Sequence, residues 1–133
     1  MWPDPTSPYR ECTTITPSES WSTGAIVSTP LDVARFLDAL LTGRLLSRPW
    51  LDKMLDCTER IDAHRSRGLG IVRYDFAGGV SAYGHQGGVP GFSTMALRTT
   101  TGRCVVLYQN CFDVASPMPY DTPFVLAATS QQT

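Results

Sequence analysis

The sequence contains a single lysine, Lys53, only two histidines, His64 and His85, and no run of basic residues. Its 11 basic and 12 acidic side chains are dispersed and sum to a net charge of −1. No stripe of charge could release counterions from a nucleic-acid backbone, so nucleic acid is not an expected partner. No stretch approaches the roughly 20 apolar residues that span a bilayer, and no membrane span is expected. Met1-Trp2-Pro3-Asp4 lacks the charged-then-apolar layout of a secretory signal. The four cysteines, Cys12, Cys57, Cys104 and Cys111, form no C-x-x-C pair and no zinc-like spacing. Buried free thiols are the plainer reading of them, and no metal or cofactor is expected. Cys104 and Cys111 are an odd number apart, so on one strand they would face opposite sides and could not bond to each other. The redox compartment stays open.

What is present suits a globular chain. An apolar fraction of 42% with 17% charged residues over 133 positions excludes a mostly disordered or collagen-like polymer and bounds the chain at about one domain or part of one. Residues 1–27, with Pro3, Pro5, Pro8 and Pro17 among Ser and Thr, keep no apolar period and read as an extended loop or linker. Such a lead is unusual for a self-contained domain and suggests a chain that starts partway through a larger fold. Residues 28–133 carry the pattern.

Thr29-Pro30-Leu31-Asp32 is a helix start. Thr29 can cap, Pro30 fits the first turn, and Asp32 favours the amino-terminal dipole. The helix runs to Gly43, with Val33, Phe36, Leu37, Leu40 and Leu41 as its core face. Ser47-Arg48-Pro49 opens a second helix through Trp50, Leu51, Met54 and Leu55, and the two are expected to form a helical hairpin. Beyond Arg67, β-branched and aromatic runs predict strands at Leu69 to Phe76, Ser81 to His85, Ser93 to Thr99 and Cys104 to Asn110. Gly102 suits the turn that would pair the last two strands. Asp121-Thr122-Pro123 begins a terminal helix. The order predicts an α+β fold, an antiparallel sheet with packed helices.

Three segments occur in series: Ser20-Trp21-Ser22-Thr23-Gly24-Ala25-Ile26-Val27-Ser28-Thr29-Pro30-Leu31-Asp32 with Gly43-Arg44-Leu45-Leu46, then Arg67-Gly68-Leu69-Gly70-Ile71, then Tyr83-Gly84-His85-Gln86-Gly87-Gly88-Val89-Pro90-Gly91-Phe92. In order and spacing they resemble the C-terminal half of the class C β-lactamase and D-alanyl-D-alanine carboxypeptidase family of serine hydrolases, which includes esterases and amide hydrolases. The resemblance covers roughly residues 15 to 112. It implies the C-terminal part of a β-lactamase/transpeptidase-like fold and an acyl hydrolase acting on a small acyl or peptide-like substrate. In that family the His-x-Gly element, here His85-Gln86-Gly87, lies on an edge strand and walls the active site. By resemblance the Gly88 N–H is one of two oxyanion donors, and Trp21 borders the cleft.

The chemistry stands by itself too. Glycines let a substrate backbone approach, an edge strand offers unpaired N–H groups, fixed N–H donors stabilise a tetrahedral intermediate, and an imidazole can move protons or attract a carboxylate. A glycine-rich turn with a surface histidine, and a packed Trp21, are the bland alternatives. His64, in a polar connection, reads as a solvated loop residue.

The departures bear on function. Gln86 replaces the hydroxyl residue found in many penicillin-recognising members, which leaves ester, amide and thioester substrates as open as β-lactams. The family's Ser-x-x-Lys, in which lysine one helical turn on activates the serine, does not occur: the residue three before Lys53 is Trp50. Tyr108-Gln109-Asn110 spells the family's Tyr-x-Asn but follows His-x-Gly instead of preceding it, a coincidence of letters. The expectation is an incomplete site, inactive alone, that needs a complementing segment supplying Ser-x-x-Lys, with apolar surface and a bare sheet edge that both favour self-association. The alternatives are a non-catalytic peptide- or acyl-binding module, or a recruited hydroxyl among Ser81, Ser93 and Ser22. Family members are often secreted or periplasmic, and the sequence does not settle the location.

Overall fold

The computed structural model describes Ser18, residues 20–89 and residues 91–110. The proline-rich lead, Cys12, Cys111 and the helix expected after Asp121 lie outside the described residues. A short helix α1 (Trp21–Gly24) precedes α2 (Pro30–Leu41) and α3 (Arg48–Leu55). Among the described residues six strands follow: β1 (Glu59–Arg60), β2 (Arg65–Arg67), β3 (Val72–Asp75), β4 (Ser81–Val89), β5 (Phe92–Thr99) and β6 (Cys104–Gln109). They form one antiparallel sheet in sequence order, a meander with helices packed on it, which is the α+β architecture the pattern predicts.

The α2 start is local chemistry. Thr29 is extended, its hydroxyl oxygen accepts the Asp32 N–H at 3.2 Å, and Pro30 fills the first helical position. The helix stops at Leu41, two residues short of the expected Gly43, which takes φ +78° after the cap. Leu37 is buried and Val33, Leu40 and Leu41 are half-buried, but Phe36 is 57% exposed. Phe36 is therefore not a core residue: the buried sector centres on Leu37 and turns toward Ala34 and Asp38, leaving Phe36 at its margin. The expected helical hairpin is also revised. Among the described elements α2 packs chiefly on β5 and β6, not on α3. The end of α3 instead meets the β2–β3 turn, where the Leu69 N–H donates to the Met54 carbonyl at 3.1 Å.

The core lies on one sheet face, with Val72, Tyr74, Ala82, Met95 and Leu97 buried and Phe76 and Leu107 packed beside them. The alternation along β5, with Ser93, Met95, Leu97 and Thr99 buried, is the period-2 signature of a strand with one inner face. The expected strand from Leu69 to Phe76 shrinks to Val72–Asp75, because Leu69 and Gly70 form the hairpin turn closed by the Gly68 N–H on the Ile71 carbonyl at 2.9 Å. The polar connection after α3 holds two further strands. β1 and β2 pair as Glu59↔Arg67 and Arg60↔Ser66, with an Arg67–Glu59 ion pair at 3.2 Å across the ladder. β4 extends four residues past the expected His85, carrying the whole His-x-Gly segment into the sheet.

Candidate functional site

β4 is an interior strand for half its length and an edge strand for the rest. Toward β3 the pairing ends at Val72↔Gly84; toward β5 it runs without a bulge from Ala82↔Thr99 to Val89↔Phe92. Among the described residues, no strand pairs with the other side of His85–Val89. The element expected on an edge strand is thus on an edge only from His85 onward, and the reason is that the chain enters β3 only after the Leu69–Gly70 turn.

Backbone direction follows from two bonds. The Phe76 N–H donates to the Val80 carbonyl at 2.8 Å on the β3 side, and the Thr100 N–H donates to the Ser81 carbonyl at 2.9 Å on the β5 side. In an antiparallel ladder successive residues address opposite neighbours. Even-numbered residues of β4 therefore direct N–H and C=O away from β5. Past Gly84 these are Gln86 and Gly88, whose backbone groups face the open edge. His85 through Gly88 are exposed.

The glycines of β4 divide by cause. A Cβ on Gly84 would sit 1.9 Å from the Ala96 carbonyl oxygen, so internal packing demands glycine there. A Cβ on Gly87 would meet nothing within 4 Å, and on Gly88 only the Phe92 carbonyl oxygen at 3.8 Å. Neither has positive φ. No contact among the described residues calls for glycine at these two positions, although a close approach from outside would. The connection from Val89 to Phe92 is two residues long, and Gly91 takes φ +84° there.

His85 shares a sheet face with Tyr83 and Val89 by alternation, and its Nδ1 lies 2.5 Å from the Gln86 carbonyl oxygen. A carbonyl only accepts, so Nδ1 carries the proton and donates, which leaves Nε2 for other partners. At the far end of β4, α1 comes alongside: a Cβ on Gly24 would lie 3.5 Å from Val89 Cγ1. Trp21 in α1 is 83% exposed with φ +32°, an unusual backbone conformation for a tryptophan, and it is not a packed core residue. The structure thus brings α1, bearing Trp21, to the strand end that carries Gln86, Gly87 and Gly88. Leu69 is exposed at the turn where β3 parts from β4.

The three candidate hydroxyls are not alike. Ser81 donates to Asp75 Oδ1 at 2.7 Å and accepts from Arg73 at 3.3 Å. The Ser81 hydroxyl, then Arg73, hold the Asp75 carboxyl below the usual carboxylate range, which makes it a weak base for activating that serine. Ser93 is buried and donates to Gln109 Oε1 at 2.9 Å. Ser22 is exposed on α1. His64 lies in the β1–β2 turn, exposed, its N–H on Asp62 Oδ1 at 2.9 Å. Tyr108 pairs with Thr94 near the end of β6. Cys57 and Cys104 are free, half-buried thiols pushed up in pKa by burial. Among the described residues, no group of three His, Cys, Asp or Glu could hold a metal ion, and no helix is long and apolar enough to cross a membrane.

Comparison with known proteins places this geometry in context. The Beta-lactamase family model matches residues 2–130. The D-stereospecific amidohydrolase from Streptomyces sp. is similar in structure at TM-score 0.65 and 32% identity, over 71% of this chain and 28% of that one. A penicillin binding protein from Bacillus halodurans shares the fold at TM-score 0.55 and 24% identity, over 62% of this chain and 26% of that one. The chain spans about a quarter of the length of these two structures.

Proposed function

The chain belongs to the beta-lactamase family, and from that premise we propose that it forms the substrate-side wall of a serine acyl hydrolase site, hydrolysing or transferring an amide, ester or β-lactam acyl group once a nucleophile is supplied. The observation that carries this reading is the open edge at Gln86–Gly88. Exposed glycines that no contact among the described residues requires flank outward backbone N–H groups, where an acyl substrate needs close approach and hydrogen-bond donors.

In this reading the Gly88 N–H donates to the oxyanion of the tetrahedral intermediate, Gln86 and Gly87 line the substrate, Trp21 covers its apolar part, and His85 Nε2 serves proton transfer or carboxylate attraction. The name of the 32% identical Streptomyces relative makes an amide of a D-configured residue the first substrate class to try. Gln86 in place of a hydroxyl weighs against β-lactam specificity. The sequence holds no Ser-x-x-Lys, so this chain needs a complementing segment that brings it.

The test is the intact mass of the folded chain after incubation with D-amino-acid amides, activated esters and β-lactams, alone and mixed with the N-terminal part of the Streptomyces relative. No adduct alone and one stoichiometric adduct on the added segment's serine is the expected result. A single adduct on Ser22, Ser81 or Ser93 would overturn the assignment of the nucleophile.

The missing Ser-x-x-Lys also favours a second reading, a non-catalytic peptide- or acyl-binding module. Binding without turnover, abolished by Gly87→Val in a folded chain, is its expected signature.

A further inference from the structure

An open strand edge invites another strand, from a peptide or from a second copy, because it presents unpaired N–H and C=O groups in register. On β4 the outward groups are those of Gln86 and Gly88. One of these four groups is already occupied. The Gln86 carbonyl accepts the Nδ1–H of the neighbouring His85 at 2.5 Å, a bond between adjacent residues that needs no other part of the protein.

We infer that His85 is a specificity-determining cap on this edge, admitting short ligands that present acceptors and disfavouring extended strands. An antiparallel partner strand opposite Gln86 must donate an N–H to the Gln86 carbonyl while accepting from the Gln86 N–H. With the imidazole N–H already on the carbonyl, that pair forms only as a shared, weaker bond on the second lone pair, or after the ring swings away and loses its own bond. Among the described residues nothing takes the two N–H donors of Gln86 and Gly88. A ligand that offers a carbonyl or carboxylate oxygen to them has no need of the Gln86 carbonyl, and it meets Gly87 and Gly88 with no Cβ in the way.

Exposure fits the role. His85 is exposed, and that carbonyl is the one hydrogen-bond partner of its ring among the described residues, while its backbone stays paired with β5. The cap therefore sets which ligands the edge accepts without contributing much to the fold. It also separates two modes of association. Copies of the chain that meet through apolar surface are unaffected, while copies that meet edge to edge are opposed.

This inference rests on the acyl-site reading only for the identity of the favoured ligand, and its test needs no acyl transfer. In the unaltered chain, long-range proton–nitrogen correlation spectra of the neutral imidazole should show the proton on the Nδ1 of His85, with His64 as internal reference. A proton on Nε2 would overturn the cap. Binding of a fluorescein-labelled extended peptide of alternating Thr and Val is then read by anisotropy in the wild type and in His85→Ala. Freeing one carbonyl should tighten peptide binding about five-fold, the scale of one net hydrogen bond. Equal or weaker peptide binding by a folded His85→Ala chain would refute the inference. Absence of an acyl adduct in the mass experiment, with both results here as expected, would remove the hydrolase reading and leave the cap standing.

Discussion

Asp38 on α2 accepts the Arg98 Nε–H of β5 at 2.8 Å, a bond that spans 60 residues of sequence and fastens the helix to the sheet. Its second carboxylate oxygen takes Arg44, just past the helix end. Arg98 sits between the inward Leu97 and Thr99, so the bond also fixes which sheet face α2 covers. That face carries Tyr83, His85 and Val89 on β4, while α2 itself packs on β5 and β6.

Removing the carboxylate leaves a guanidinium whose side chain is only 17% exposed without its partner, whereas Asp38 itself is 37% exposed and partly screened. Asp38→Ala should cost about 1 to 2 kcal/mol, the range for a charged hydrogen bond short of full burial. Urea unfolding followed by circular dichroism checks this. A midpoint that does not move would show that α2 is held by Leu37 and its apolar neighbours alone.

A second network gives stability a pH dependence. The Ser81 hydroxyl, and after it Arg73, hold the Asp75 carboxyl below its ordinary range across the β3–β4 ladder. A carboxyl whose folded pKa is depressed binds its proton more readily when unfolded. Its contribution is therefore complete above the ordinary carboxylate range and is lost as pH falls through the lowered folded value. Asp62, held down by Arg65 and by the His64 N–H, adds a term of the same sign. Asp75→Asn should reduce stability at neutral pH and flatten part of the acid limb, without abolishing it. Urea midpoints collected from neutral to acid pH measure both effects, and an Asp75→Asn chain with an unchanged acid limb would contradict the assignment.

The glycines of β4 provide a contrast between folding and binding. Gly84→Ala drives a methyl group into the Ala96 carbonyl and should destabilise by the upper end of the roughly 1 to 3 kcal/mol typical of overpacking, or more. Gly87→Ala meets open space and should stay within about 0.5 kcal/mol of the parent, as surface substitutions do. Thermal unfolding of the two variants side by side tests the division. A Gly87→Ala chain as unstable as Gly84→Ala would mean that Gly87 is structural, and the case for a ligand at the edge would lose its main support.

Much of this was legible in the sequence where the cause is local. Thr29, Pro30 and Asp32 announce α2 because capping is settled within four residues, and β4 to β6 are visible through period-2 alternation and the turn at Gly102. β1 and β2 were hidden because Glu59, Arg60, Arg65, Ser66 and Arg67 have no apolar alternation; their pairing rests on backbone bonds and the Arg67–Glu59 ion pair. Phe36 was misplaced because helical period defines a stripe but not which flank of it meets the sheet. At the candidate site, resemblance located His85-Gln86-Gly87. That only the second half of β4 is an edge depends on where β3 turns away, and the His85 bond to Gln86 depends on a side-chain rotamer, neither of which one sequence encodes in a readable pattern.

The stretch before α2 and one flank of α2 expose apolar side chains. Ile26 is 90% and Val27 87% exposed, with Trp21, Leu31 and Phe36 also exposed. Apolar surface gathered in one short stretch favours association, since each side chain removed from water gains free energy in proportion to the area covered. The chain corresponds to only about a quarter of the length of the two similar structures, and a surface of this kind suits contact with further polypeptide. The purified chain should therefore self-associate in a concentration-dependent way by sedimentation velocity or light scattering. Ile26→Ser combined with Phe36→Ser should shift it toward monomer while leaving the circular dichroism unchanged, because neither side chain is buried. His85→Ala should not have the reverse effect on this apolar contact. Were the unaltered chain monomeric across the whole series, the exposed row would not be an interface between copies, and mixing with the N-terminal part of the Streptomyces relative would become the decisive measurement.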